Sequence, residues 1–257
     1  MAEHDYALSR RAAEFYEATM VPALFTAWAT RAVAAAGVGP GDRVLDVACG
    51  TGVVARAAAA RGGTVVGVDV NEAMLAVARR VRPDLRWEVG DATRLPFGDD
   101  SFDAVVSQAA LMFFGDRVAA LREMGRVAGR VVVVQVPGRL AASAGYLALA
   151  DVLARHAGGA ARDLLGAYFA VGEPALLRDL FERAGLRIAR FESWLGATRS
   201  PDLDTFLAAE LLPFADSVGP DVRARMVADC RAELAPFVDA TGGVAAPIEV
   251  HLVTAAV

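Results

Sequence analysis

The sequence predicts an α/β fold: a doubly wound, mostly parallel sheet with helices on both faces. Three observations predict it. Apolar strand-like runs alternate with helical patterns from residue 43 onward. The segment Val44-Leu-Asp-Val-Ala-Cys-Gly-Thr-Gly-Val-Val-Ala55 reads as strand, glycine turn and helix. Acids stand at or just beyond three strand ends, at Asp46, Asp69 and Asp91. Ligands on such sheets sit at the carboxyl ends of the strands.

Taken in order, residues 7–18 and 22–36 read as two helices broken at Pro22, a residue favoured at a helical first position. The second has Leu24, Phe25, Trp28, Ala29, Ala32 and Val33 at helical spacing, and Gly37 with Pro40-Gly41 ends it. Strands are expected at 43–47, 64–69, 85–89, 102–107 and 130–136. Helices are expected near 52–61, 72–80 and 116–127. Residues 138–172 are too long for a plain connection, and they carry Tyr146, Leu149, Leu153, His156, Leu165, Tyr168 and Phe169. They read as helices laid over the strand-edge pocket. Pro174 opens another helix that Gly185 follows. Strand signals return weakly at 186–195 and 247–254, with helices at 201–212 and 220–237 between them. The division is one domain: N-terminal helices 1–40, core 41–137, helical lid 138–172 and a C-terminal part 173–257.

The glycine turn carries the chemistry. Gly50 and Gly52 let backbone approach a ligand closely, and the following helix start presents unpaired N–H groups. Gly50-Thr-Gly52-Val-Val-Ala55 also fits a loose dinucleotide fingerprint with Asp69 as the ribose acid. Asp46, however, precedes the glycines, where it suits an ammonium better than a pyrophosphate. No Arg or Lys is expected by the loop to favour phosphates.

Four stretches together resemble the class I S-adenosylmethionine (SAM)-dependent methyltransferases, in the small-molecule branch related to the ubiquinone and menaquinone C-methyltransferases. They are Val44–Ala55, Val66-Gly-Val-Asp-Val-Asn-Glu-Ala-Met-Leu75, Val89-Gly-Asp-Ala-Thr-Arg-Leu-Pro-Phe97 and Ser101-Phe-Asp-Ala-Val-Val-Ser-Gln108. The resemblance implies a Rossmann-like, seven-stranded, mostly parallel sheet with an antiparallel last strand and a helical lid. It implies that Asp46 faces the amino-acid end of SAM, with backbone contact from Ala48, Gly50 and Gly52. Asp69 would accept both ribose hydroxyls, since a carboxylate has two acceptor oxygens and no donor. Val70 and Met74 would pack on the adenine. Asp91 would accept from its amino group, with Ala92 and Leu95 alongside. Tyr16 resembles a cofactor-end contact. The family often has Gly where Ala48 stands. Each acid also has a local alternative: turn bonding for Asp46, helix capping for Asp69 and an Asx turn for Asp91.

Methyl transfer from a sulfonium needs alignment more than acid–base help, and a base only for an acceptor that is a neutral hydroxyl or un-enolised carbon acid. His156 is the candidate base and Gln108 the candidate acceptor-orienting or cofactor-side amide. His4 is a weaker candidate, and His251 reads as structural. Phe113 and Phe114 could wall an aromatic pocket or pack the sheet. A cyclase or sensor that binds SAM without methyl transfer, and a nicotinamide-dependent oxidoreductase, are the competing readings. The second leaves Asp46 and Gly90-Asp91-Ala92 unexplained.

Composition narrows the partners. The net charge is −5, and all 26 basic residues are Arg, which suggests a GC-rich bacterial genome. Only short basic clusters occur, Arg10-Arg11 and Arg79-Arg80-Val-Arg82, so nucleic acid is not expected. No apolar run reaches ~18 residues and no signal core opens the chain, so a membrane is not expected and the protein reads as cytoplasmic. Cys49 and Cys230 have no disulfide or zinc spacing. No metal ligand set is visible; the acids at 99, 100 and 103 fall in one turn. The expected partner is a small apolar acceptor, quinone-like, phenolic or from secondary metabolism. A homodimer is left open.

Overall fold

The computed structural model describes residues 9–211 and 218–257. The chain splits into two compact units. The first comprises Met1–Val136, Pro174–Glu192 and Leu252–Val257, and the second Pro137–Glu173 and Ser193–His251.

The first unit holds the sheet's core strands: β1 (Arg43–Val47), β2 (Thr64–Asp69), β3 (Arg86–Val89), β4 (Phe102–Gln108) and β5 (Ala128–Pro137). β6 (Arg187–Ser200) and β7 (Val244–Ala256) each run from one unit into the other. The strand order is β3-β2-β1-β4-β5-β7-β6. β1 pairs in parallel with β2 and β4, β2 with β3, and β4 with β5. β7 runs antiparallel to β5: Val257 N–H donates to the Arg130 carbonyl, while Gly138 N–H donates to that of Glu249. The order reverses between β1 and β4, which makes their carboxyl ends the switch point where such sheets bind ligands.

β-Branched residues dominate the central strands because they suit a pleated surface covered on both faces. Val44, Leu45, Val105, Val106, Val132 and Val133 are wholly buried. Removing each such side chain from water contributes about 1.5–3 kcal/mol. The helices of this unit are α1 (Arg10–Met20), α2 (Thr26–Ala35), α3 (Val53–Ala60), α4 (Glu72–Val81), α5 (Arg117–Val127) and, after the second unit's first segment, α8 (Pro174–Arg183). Asn71 caps α4 by accepting from Ala73 N–H and Met74 N–H, and Asp116 caps α5 by accepting from Ala119 N–H.

The expected break at Pro22 is corrected. Residues Val21–Phe25 form a π-turn that joins α1 to α2 without interruption. The wider turn carries the proline, which lacks an N–H, through what a regular helix resists. Helix 7–18 and helix 201–212 overlap described helices, but residues 7, 8 and 212 lie outside the described residues, as does His4.

The second unit contains α6 (Ala144–Ala157), α7 (Gly159–Gly166), α9 (Leu203–Glu210) and α10 (Pro220–Leu234). The expected helices at 138–172 are therefore present. A buried hydrogen-bonded group holds this unit: Tyr146 Oη lies 2.7 Å from both Thr198 Oγ1 and Glu210 Oε1. Phe169 and Phe206 pack edge-on against the same ring. Tyr146 and Phe169 are buried, whereas Tyr168 is partly exposed.

Candidate active site

The site begins at the end of β1. Ala48 and Gly50 take left-handed backbone at φ 55° and 54°, and Gly52 follows at 87°. The glycines answer different demands. A Cβ on Gly50 would meet nothing within 4 Å among the described residues, so the backbone there leaves room for a ligand. A Cβ on Gly52 would lie 2.2 Å from the Trp87 indole, which also fills the space beside Gly67. Gly52 is thus required by packing as well as by its φ.

α3 opens on Gly52 without a side-chain cap of its own. Asp46 supplies one from β1: its Oδ2 accepts from Ala55 N–H at 2.9 Å. Burial pushes the Asp46 carboxyl up to about 7; the Ala55 bond and Arg56 oppose that push, and Asp69 adds to it. Asp69 holds the turn from β2. Its Oδ2 accepts from Gly50 N–H and its Oδ1 from Asn71 N–H, each at 2.8 Å. Burial raises its pKa too, against bonds from Asn71, Gly50 and Val70 N–H groups. The two Asp69 oxygens together retain acceptor capacity beyond these backbone bonds.

The expectation that no cation stands by the loop is corrected. Arg56 donates to the Thr51 carbonyl at 2.7 Å and pairs with Glu17 of α1 at 2.9 Å. Glu17 offsets the charge, and the pair ties α1 to the glycine turn. Arg56 carries no local signal for this role, because its charge partner Glu17 lies far from it in sequence. Thr51 Oγ1 is buried and, among the described residues, has no hydrogen-bond partner.

Val70 is 68% exposed just past β2, and Val89 at the end of β3 is also exposed. Met74 is buried with Ala13 and Val77, and Tyr16 packs on that group. Tyr16 also stacks on Phe25 at 5.4 Å. Asp91 forms an Asx turn: its Oδ1 accepts from Thr93 N–H and Thr93 Oγ1, both at 2.8 Å. Ala92 and Leu95 are buried beside it. Glu123 of α5 fastens this loop, accepting from Leu95 N–H at 2.8 Å, while Arg126 donates to the Leu95 and Phe97 carbonyls and pairs with Glu123 and Asp99.

Gln108 ends β4, and its Nε2 donates to the Phe25 carbonyl at 3.3 Å. Phe113 lies in a short 3-10 turn, Leu111–Phe113. His156 belongs to the second unit, where its Nε2 meets Asp229 Oδ2 of α10 at 2.8 Å. His251 is buried and structural, as expected: Nε2–H donates to the Gly172 carbonyl, leaving Nδ1 to accept from Ser193 Oγ, both at 2.8 Å. Burial and the charges of Asp46 and Asp69 push the Cys49 thiol up, and burial pushes Cys230 up to about 12, so both are inert fillers. The turn acids are engaged: Asp99 with Arg126 and Asp103 with Arg43, whose guanidinium also donates to the Asp100 carbonyl. Among the described residues, no group of three or more His, Cys, Asp or Glu side chains is placed to hold a metal ion.

A turn pinned by two strand-end carboxylates, at the switch point of a 3-2-1-4-5-7-6 sheet, decides the kind of domain. A family profile described as "Methyltransferase domain" matches residues 45–131. This stretch is therefore similar in sequence to a methyltransferase domain. The chain is 47% identical over 111 residues to a demethylmenaquinone methyltransferase of Mycobacterium sp. (strain KMS), covering 42% of this chain and 47% of that protein. It is 46% identical over 111 residues to the enzyme of that name from Beutenbergia cavernae, covering 42% and 46%. The chain spans about half the length of the curated relatives it matches. The likeness in fold extends further than the matched sequence. The YcgJ protein of Bacillus subtilis superposes with a TM-score of 0.59 at 17% identity, covering 87% of this chain and 95% of that one. The [4+2]-cyclase SpnF superposes with a TM-score of 0.52 at 19% identity, covering 99% and 84%.

Proposed function

We propose that this protein transfers the methyl group of SAM to O, C or N of a small, largely apolar acceptor. The carrying observation is the joint strand-edge arrangement: Gly50 open to a ligand and pinned by Asp69, Asp46 behind it, and Val70 exposed beside it. The donor set fits SAM. An ionised Asp46 suits its ammonium, the remaining lone pairs of Asp69 suit ribose hydroxyls, and Val70 with Met74 suits adenine. Asp91, Ala92, Leu95 and Gln108 complete the assignment, with Ala48 and Gly52 shaping the turn and Tyr16 beside Met74.

When bound, SAM supplies a methyl on a sulfonium that leaves as a neutral thioether, so no acid need assist departure. The chain's task is to orient the two reactants and exclude water. A base is required only for a neutral hydroxyl or un-enolised carbon acceptor. His156, held by Asp229, is the candidate for that case. Acceptor choice is assigned to residues 138–172 on sequence grounds: the cofactor roles are filled from 44–108, yet aromatic and aliphatic residues continue beyond. The relatives' names support a quinol-like acceptor, and a secondary-metabolite phenol shares that chemistry. We place the protein in the bacterial cytoplasm, alone or as a homodimer, with no nucleic-acid or membrane partner. No described helix is long and apolar enough to cross a membrane.

The test is turnover of SAM to S-adenosylhomocysteine with a demethylated naphthoquinol, followed by mass spectrometry of both products. Methylated product is the expected result. Tight SAM binding without turnover on quinols or phenols would favour a SAM-binding cyclase or sensor.

A further inference from the structure

Two glutamines stand side by side at the carboxyl ends of β4 and β5. Gln108 registers with Gln135, and Ala109 N–H donates to the Gln135 carbonyl at 2.7 Å. Residues in register across parallel strands project from the same face. Val106, two residues before Gln108, registers with Asp46. Both amides therefore emerge on the Asp46 face, nearer the ligand-binding edge. Standard strand spacing and rise put the Gln108 Cα about 8 Å and the Gln135 Cα about 12 Å from that of Asp46.

Gln135 interrupts an all-valine run, Val131 to Val134, and is wholly shielded from water. Among the described residues, neither its Nε2 nor its Oε1 has a hydrogen-bond partner. The Oε1 of Gln108 is likewise buried and unpartnered among the described residues, while its Nε2 is committed to Phe25. Unpaired buried amide atoms are costly, and native proteins keep few without a use. Three such atoms here come from two adjacent residues on one face.

The chemistry selects the ligand. Amides carry no charge, and they do not titrate near neutral pH. Nε2 of Gln135 offers two donors, and the two Oε1 atoms accept. The matching edge is neutral and carries an oxygen acceptor and a hydroxyl donor. An aromatic group lies alongside: Phe25, whose carbonyl holds Gln108, stacks on Tyr16 and meets Trp28 edge-on at 5.9 Å. We propose that Gln135 and Gln108 bind the methyl acceptor, as a neutral hydroxylated aromatic ring whose hydroxyls they receive and donate to. The inference rests on the methyl-transfer reading and adds to it a residue, Gln135, and a charge state for the acceptor.

Calorimetry with reduced 1,4-naphthohydroquinone tests this, in anaerobic buffer saturated with S-adenosylhomocysteine. The control probe is 1,4-dimethoxynaphthalene, which keeps the rings and loses the donors. The wild-type protein should prefer the hydroquinone by about tenfold or more. Gln135→Met keeps the side-chain size and removes the amide. It should abolish that preference while leaving the affinity for S-adenosylhomocysteine unchanged. Gln108→Met, at a half-buried position, is the second variant and should lose part of the preference. A wild-type protein without the preference overturns the proposal. So does a Gln135→Met protein that melts higher and binds the hydroquinone as before, which would make the amide a water-satisfied core group. If the wild type does not bind S-adenosylhomocysteine, the methyl-transfer reading itself fails, and this inference falls with it.

Discussion

Asp69 carries two loads at once. Its oxygens fasten Gly50 and Asn71, and the same oxygens are assigned to the ribose. Asp69→Ala should weaken SAM and S-adenosylhomocysteine by roughly 1.5–3 kcal/mol, as expected for lost charge-assisted bonds. Unchanged affinity by calorimetry would remove Asp69 from the cofactor assignment. Asp46 makes a pH-dependent claim. With its pKa at about 7 in the free protein, the ammonium partner must draw out the ionised form. Affinity for S-adenosylhomocysteine should then rise ~fivefold from pH 6 to pH 7 as the ionised fraction grows. The Asp46→Asn protein should bind with no such slope over that interval; an identical slope would assign the dependence elsewhere. Ala48 offers the reverse kind of change. It sits at φ 55°, where a side chain costs about 1 kcal/mol relative to glycine. Ala48→Gly should raise the midpoint of denaturant unfolding.

At the scale of the element, the glycine turn separates binding from packing. Gly52→Ala meets both positive φ and the Trp87 indole, so it should destabilise the fold by ~2–4 kcal/mol. Gly50→Ala meets open space and carries only the φ penalty, about 1 kcal/mol. Its loss should appear chiefly in cofactor affinity, and equal unfolding midpoints for the two variants would contradict the division. The turn itself was legible in the sequence, because glycine spacing and an apolar strand are local signals. So were β1 and β2, whose limits match the alternation at 43–47 and 64–69. What filled the turn was not legible. Trp87, Arg56 with Glu17, and the Glu123–Arg126 clamp act across many residues, and periodicity carries no long-range pairing. Pro22 misled for a different reason: its local meaning is a helix start, and the π-turn absorbs it instead. Gln135 was hidden within a strand run that reads as plain core.

For the whole molecule, the buried carboxyls set how stability follows pH. Burial pushes Asp46 and Glu210 up to about 7, the latter opposed by the Tyr146 hydrogen bond, and Asp69 is raised as well. A carboxyl raised in the folded state binds its proton more tightly there than in the unfolded chain. Its stabilising contribution is therefore complete below the unfolded pKa, near 4, and is lost as pH rises through the folded value near 7. The carboxyls held low, such as Asp84 and Glu249 at about 2 beside Arg82 and Arg139, act in the opposite sense and only below the usual carboxylate range. Between pH 5 and 8 the raised group governs, so the ligand-free protein should melt at progressively lower temperature across that range. Each fully buried carboxyl contributes on the order of 3 kcal/mol to the change. The units can be told apart, since Asp46 belongs to the first and Glu210 to the second. Glu210→Gln keeps an acceptor for Tyr146 and removes one titration, so calorimetric melts should show a shallower fall with pH. Adding S-adenosylhomocysteine should flatten the remaining slope by favouring ionised Asp46. A ligand-free melting temperature that stays constant from pH 5 to 8 would show that neither carboxyl is held protonated by the fold.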